Sequence, residues 1–302
     1  MSWDSFFFLI NPLFFSAYNI SVVLMISSGI GIVAMPMSLL LTSGEFDLSV
    51  GSVYALVPCT TEALFRLYGV NVWVGALLGI GLAILLGLVN GFFVVKVGVQ
   101  SFIVTMATWF FYGSLALIVA GGLPESIPTG LFYYLGGYVG NLKLNFSTES
   151  IWLFALAVVF YVILEMTKHG NWSMATGSSR GAAAVMGVKT GRVKVINFVL
   201  TSTFAGLIGI LDLARMSAVT PTGGSLLTFE TIAAAVIGGT SLSGGSGSIT
   251  GTLIGSIMLG MVFNGLILIG MGWYWFEGFV GAVILVACIL NLRITRLRGA
   301  YA

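Results

Sequence analysis

A carboxylate is costly to carry within an apolar chain, and this sequence sets two of them where helices would begin. Asp47 stands in Thr42-Ser43-Gly44-Glu45-Phe46-Asp47-Leu48-Ser49-Val50-Gly51-Ser52, between glycines at which a helix can break. Glu230 opens the stretch Glu230-Thr231-Ile232-Ala233-Ala234. At membrane depth a carboxylate costs roughly 2.5–3.5 kcal/mol on insertion scales, so it faces a partner or a wet cavity. For each residue two readings stand: a cap for free backbone N–H groups beside a polar pathway, or an ordinary N-cap at a membrane surface. Ser49 shares the first break, and Thr240 and Ser241, inside Gly238-Gly239-Thr240-Ser241-Leu242-Ser243-Gly244-Gly245-Ser246-Gly247, mark a third candidate. Asn90 and Asn264 sit within apolar runs and either line such a pathway or hydrogen-bond between helices. Asp212 and Arg215 are three residues apart and can pair on one helix face.

No catalytic set accompanies these groups. There is one histidine, His169, and the two cysteines, Cys59 and Cys288, lie in apolar runs without a CxxC or metal-ligand spacing. No metal site and no cofactor is expected. Gly187-Val188-Lys189-Thr190 has a superficial likeness to the end of a phosphate-binding loop, but Val188 separates the Gly and Lys that must be adjacent. Nucleotide would therefore bind a separate subunit. The net charge of +2 carries no signal for nucleic acid.

The elements that hold these groups follow from the solvent. The chain is 58% hydrophobic and 7% charged, with a mean hydropathy of +1.08. Soluble domains carry about 25% charged residues, so this outer face must meet lipid. Apolar runs near 17–41, 49–68, 71–95, 101–120, 151–167, 195–214, 228–242, 249–270 and 274–292 predict about nine crossings in one membrane domain, 1–302. The second and seventh are the weakest. The opening run 6–15 is too short to span and is expected to lie at the interface. Alternating the crossings gathers Lys96, Lys168, Arg180, Lys189, Arg192, Lys194, Arg293, Arg296 and Arg298 on one side, nine of the 12 Lys and Arg. That side is expected to be cytoplasmic and the N-terminus to lie outside. Gly75, Gly79, Ala83, Gly87 and Gly91 recur every four residues, a helix face built for close approach of another backbone. Leu88-Val89-Asn90-Gly91 resembles Val262-Phe263-Asn264-Gly265, and 51–56 resembles 231–236. These repeats are five crossings apart, so they would be inverted in the membrane, a pattern suited to alternating access. The expected fold is an all-α polytopic transmembrane bundle.

In order and spacing, the Asp47 stretch, the polar stretch from Gly177 to Lys194, and the stretch from Arg215 through Pro221-Thr222-Gly223-Gly224 to Gly251-Thr252-Leu253-Ile254-Gly255 resemble the permeases of bacterial ribose-, xylose- and autoinducer-type ABC importers. The broader group includes branched-chain amino acid and nucleoside permeases. The resemblance runs from about Phe14 onward. It implies a subunit of a monosaccharide importer in the bacterial cytoplasmic (inner) membrane, with a second permease subunit, a cytoplasmic ATP-binding subunit and a periplasmic solute-binding protein as partners. It also implies that the small-residue segment 178–187 is the coupling helix. There Gly177, Ser178, Ser179, Arg180, Gly181, Ala182, Ala183 and Gly187 would meet the ATPase. The group commonly has an acidic residue at Arg180, and commonly begins with one further crossing, giving about ten. Branched-chain amino acid or nucleoside transport is the alternative. An ion-driven transporter is a lesser one, with Glu62 and Glu277 as the main mid-helix acids.

Overall fold

The computed structural model describes residues 12–121, 125–127, 130–139 and 146–299. A single turn, Pro12–Phe15, leads into α1 (Ala17–Thr42); residues before 12, and with them most of the run 6–15, lie outside the described residues. There follow α2 (Val50–Tyr68), α3 (Val72–Phe92, prolonged by a π turn to Val97), α4 (Ser101–Val119) and α5 (Thr148–Tyr161, prolonged to Met166). Two short helices, α6 (Lys168–Ser178) and α7 (Arg180–Val185), precede α8 (Thr190–Met216), α9 (Leu227–Ile237), α10 (Ile249–Leu268) and α11 (Trp273–Gly299). Strands are confined to two two-residue pairings among the described residues, 125–126 with 218–219 and 138–139 with 146–147.

Six of these helices, α1, α3, α4, α5, α8 and α10, are long and apolar enough to cross a bilayer unaided. α9 is not. Its 11 residues rise about 16 Å, half of the roughly 30 Å hydrocarbon layer. The expected seventh crossing over 228–242 is thus corrected: the chain descends as the non-helical segment 217–226, turns helical only at Leu227, and leaves the helix at the glycine-rich turn after Ile237. The second run differs: α2 is helical throughout, its 19 residues rising about 28 Å, and Glu62 and Arg66 lower its apolarity, while the irregular segment 43–49 precedes it. Only the seventh run is weak because half of its path is not helix.

The two irregular segments fall at corresponding places of the two repeats, and the packing follows the same correspondence. α2 packs on α3, α4 and α8, whereas α9 packs on α10, α11 and α1. Exchanging α1–α4 for α8–α11 turns one set into the other, including the two most extensive contacts, α3 with α8 and α10 with α1. The small-residue face of α3 explains one of them. Gly75 and Gly79 lie against Thr61 and Val57 of α2, Ala83 against Gly206, and Gly87 and Gly91 against the backbone at Val199 and Val195 of α8. The face drifts around the helix, so it serves α2 at one end and α8 at the other.

The core holds large side chains of α1, α5 and α8, among them Met35, Met37, Leu153, Phe160 and Phe198. Exposed aliphatic and aromatic residues such as Leu77, Phe110, Phe111, Ile118 and Val158 cover the outside, as a lipid-facing surface requires. Cys59 is buried and Cys288 half-buried, both as free thiols.

Candidate functional site

The starts of α2 and α9 meet head to head. A Cβ on Gly51 would lie 2.1 Å from the Gly224 carbonyl oxygen, so only glycine lets these backbones touch. Thr228 stitches the contact: its Oγ1 accepts from Gly51 N at 3.0 Å and donates to the Leu48 carbonyl at 3.2 Å. Two helix N-termini pointing at one place concentrate free N–H groups and partial positive charge. Each start has a carboxylate in reach of this charge, Asp47 just before α2 and Glu230 in the first turn of α9. The sequence isolated both residues but did not show that their helices meet.

Asp47 is fully buried. Its Oδ1 accepts from Ser49 N at 2.8 Å and Ser49 Oγ at 2.6 Å, and its Oδ2 accepts from Asn90 Nδ2 at 3.2 Å. Asn90 also donates to Ser49 Oγ at 2.8 Å, and Tyr112 OH donates to Asn90 Oδ1 at 3.3 Å. Asp47, Ser49 and Asn90 are therefore one network that fixes the start of α2 to α3 and α4. Asp47 thus satisfies one backbone N–H just before α2, and does so in the interior, not at a surface. Nearby, Lys194 donates to Glu45 at 2.5 Å with both side chains largely shielded. Lys194, counted among the surface cations that set orientation, is a structural partner for the loop.

On the other side of the meeting point lies a cavity of about 440 Å³. The turn 222–226, Glu230, Phe263 and Phe276 line it, together with Tyr54, Asp212, Arg215 and Glu149. Arg215 Nη2 pairs with Asp212 as its spacing predicted, and its Nε also donates to Glu149 at 2.8 Å. Tyr54 OH donates to the second Asp212 oxygen at 2.7 Å. Sequence reasoning did not connect Glu149 or Tyr54 to this group, because they lie 66 and 158 residues from their partners and no local pattern links them. The Glu230 side chain makes no hydrogen bond or ion pair among the described residues, although its backbone N donates to the Leu226 carbonyl at 3.0 Å.

Asn264 does not join the centre. Its Nδ2 donates to Asn19 Oδ1 at 2.8 Å, tying α10 to the start of α1. Thr240 is buried and exchanges a 2.7 Å hydrogen bond with Ser38 of α1, while Ser241 belongs to the turn itself, its N donating to the Ser246 carbonyl. For Asn264 the arrangement is interhelical bonding, and Thr240, a pathway or helix-break candidate, bonds across to α1.

At the basic end, 178–187 is not one helix. α6 ends at Ser178, Ser179 is extended, and its Oγ caps α7 through Ala182 N at 3.4 Å. Ser179, Arg180, Gly181, Ala182 and Gly187 are exposed. Ala183, expected to face a partner, is only 5% exposed and turned toward the chain's own body. The residues that project are Val185 and Met186, 88% and 83% exposed. A six-residue helix is too short for its sequence to show which face is outward. Gly177 is different again. A Cβ there would lie 2.0 Å from the Thr42 carbonyl oxygen and 2.6 Å from Gly245 N, while Gly244 stands equally tight on Gly44 and Gly177. Three backbones, the end of α1, the end of α6 and the turn after α9, thus touch without intervening side chains, joined by Gly245 N donating to the Thr42 carbonyl at 2.9 Å.

This architecture has known relatives. The family described as "Branched-chain amino acid transport system / permease component" matches residues 19–288. The xylose/arabinose import permease protein XylH of Sulfolobus acidocaldarius is 37% identical over 293 residues, covering 95% of this chain and 81% of that one. The ribose import permease protein RbsC of Escherichia coli strain K12 is 32% identical over 284 residues, with 93% and 87% covered. Among solved structures, PsaBC from Streptococcus pneumoniae in complex with Fab is similar at a TM-score of 0.47 and 18% identity over 96% of this chain and 94% of that one. With the family match spanning most of its residues and relatives above 30% identity along most of both chains, this polytopic helical protein belongs to the branched-chain amino acid transport system / permease component family, a transport component rather than an enzyme.

Proposed function

We propose that the chain is the membrane-spanning permease subunit of an ATP-driven importer and passes a monosaccharide or similar small polar solute into the cytoplasm. The observation that carries this reading is the meeting of two helix starts, each preceded by a non-helical segment, in a bundle whose basic end carries an exposed two-helix element. Helix starts that meet within a repeat-built bundle suit alternating access. The basic end, with α6 and α7, is read as cytoplasmic by the charge rule, and α7 as the contact for an ATP-binding subunit. A solute-binding protein would deliver its load at the opposite end, beside Asp212 and Arg215, and a second permease subunit would complete the channel. The relatives named for xylose, arabinose and ribose favour a sugar over the amino acid in the family's description.

The test is uptake of labelled D-xylose, L-arabinose, D-ribose and L-leucine by cells expressing the chain with its ATPase and binding protein. Sugar uptake that stops when the ATPase is omitted is the expected result. Uptake sustained without any ATPase would make the chain an ion-driven carrier and overturn the reading. Impermeant thiol labelling of Ser179→Cys in intact cells checks the sidedness, with rapid labelling as the refuting outcome.

A further inference from the structure

Models of import in which specificity rests with the delivered binding protein need no solute site inside the permease. The cavity beside the meeting point of α2 and α9 is built as one. Resting on the importer reading above, we propose that it binds the solute within a single subunit, with the Glu230 carboxylate accepting from solute hydroxyls and the aromatic pair Phe263 and Phe276 covering a ring face.

Its size, about 440 Å³, lies within the roughly 300–1,000 Å³ typical of small-molecule pockets. Such pockets combine apolar and aromatic walls with a few placed polar groups, and this one does so. Phe263 and Phe276 meet edge to face at 4.8 Å and both line it. Glu230 lines it too, and alone among the charged groups there its side chain has no hydrogen bond or ion pair among the described residues. Asp212, Glu149, Arg215 and Tyr54 saturate one another and so form a fixed polar end. An unengaged carboxylate inside a membrane bundle needs a donor from outside the chain, and a polyol supplies several.

Charge decides the ligand class. With one cation, Arg215, against three acidic residues, Asp212, Glu149 and Glu230, the lining has an excess of acidic groups. It disfavours a net-anionic solute such as a sugar phosphate, and favours neutral hydroxyl-rich molecules. A pentose 5-phosphate would place its anionic charge in this field, whereas a pentose places none. The cavity therefore selects neutral sugars over their phosphates independently of the binding protein.

The experiment uses the permease–ATPase complex in lipid nanodiscs without binding protein and measures equilibrium binding of labelled D-xylose, D-ribose and D-ribose 5-phosphate. The expected result is saturable sugar binding, with the phosphate at least tenfold weaker. Loss of one hydrogen bond to a charged acceptor predicts about 10- to 100-fold weaker sugar binding by Glu230→Gln. Partial recovery is expected in Glu230→Asp, and several-fold weakening in Phe276→Leu. Each variant is compared only if it matches the wild type in size-exclusion profile. Wild-type sugar affinity in Glu230→Gln, equal binding of ribose 5-phosphate, or no binding by a complex that imports sugar in cells would each overturn the site and leave the importer reading intact. If the complete importer carries leucine and no sugar in cells, the importer's sugar reading fails first and this site falls with it.

Discussion

Gly177→Ala is a single methyl group placed where three backbones touch, and its effect can be worked out from the contacts. The new Cβ would stand 2.0 Å from the Thr42 carbonyl oxygen. To reach ordinary van der Waals contact, the end of α6 and the end of α1 must part by about 1.4 Å. Neither neighbour is a flexible side chain, so the strain falls on main chain. Overpacking of this kind costs about 1–3 kcal/mol. Parting the strands also threatens the Gly245 N to Thr42 bond, worth about 0.5–1.5 kcal/mol. The helix preference of alanine offsets about 1 kcal/mol, leaving a net loss of about 1–3 kcal/mol. The functional loss should exceed what stability alone would give, because the same contact links the α6–α7 element to both α1 and the turn after α9. The assay pairs thermal denaturation of purified protein with ATP-driven uptake at a temperature where the variant is fully folded. Gly181→Ala is the control, since a Cβ there meets nothing within 4 Å. A Gly177→Ala protein with wild-type midpoint and wild-type uptake would refute the claim that this junction is rigid and shared.

Three further outcomes are expected. Asp47→Ala should lower stability by about 1–3 kcal/mol for each donor left without an acceptor, with Asp47→Asn milder, read as the thermal midpoint of the purified subunit; an unchanged midpoint would mean the network is dispensable. Arg215→Ala strands Asp212 and Glu149 together and should cost about 3–5 kcal/mol, seen as loss of folded protein on size exclusion, with partial recovery when Glu149 is also neutralised. Val185→Ser with Met186→Ser should stay within about 0.5 kcal/mol of wild type in stability yet weaken association with the ATPase and ATP-driven uptake, whereas Ala183→Trp should unfold α7 locally because that position faces inward; the opposite pattern would restore Ala183 as the docking residue.

What the sequence made legible was set by solvent. A crossing demands about twenty apolar residues whatever it packs against, so the helices appeared as runs, and the weakness of the seventh run was the trace of its short helix. The glycine ladder of α3 was readable because packing at four-residue spacing is a one-helix property. Contacts between distant segments left no such trace. Asp47 and Asn90 stood out separately for their polarity, but their partnership is 43 residues long in sequence. Glu149 looked like a loop acid until α8 brought Arg215 beside it. Lys194 could not be told from the neighbouring surface cations, because its burial depends on where Glu45 returns from α1. Ala183 was misassigned for a different reason, as a six-residue helix completes too few turns to show an inward face.

The two halves trace the same path in opposite senses, yet they are not equally moored. The start of α2 is clamped by Asp47, Ser49, Asn90 and Tyr112, and its approach by Glu45 and Lys194. The start of α9 has no side-chain cap of its own. Thr228 holds it by reaching across to α2, and Glu230 is unengaged. The pair works as a vise with one jaw bolted to the bench. Opening the centre needs only the α9 jaw to travel, and its far end is the glycine turn that the α6–α7 element grips.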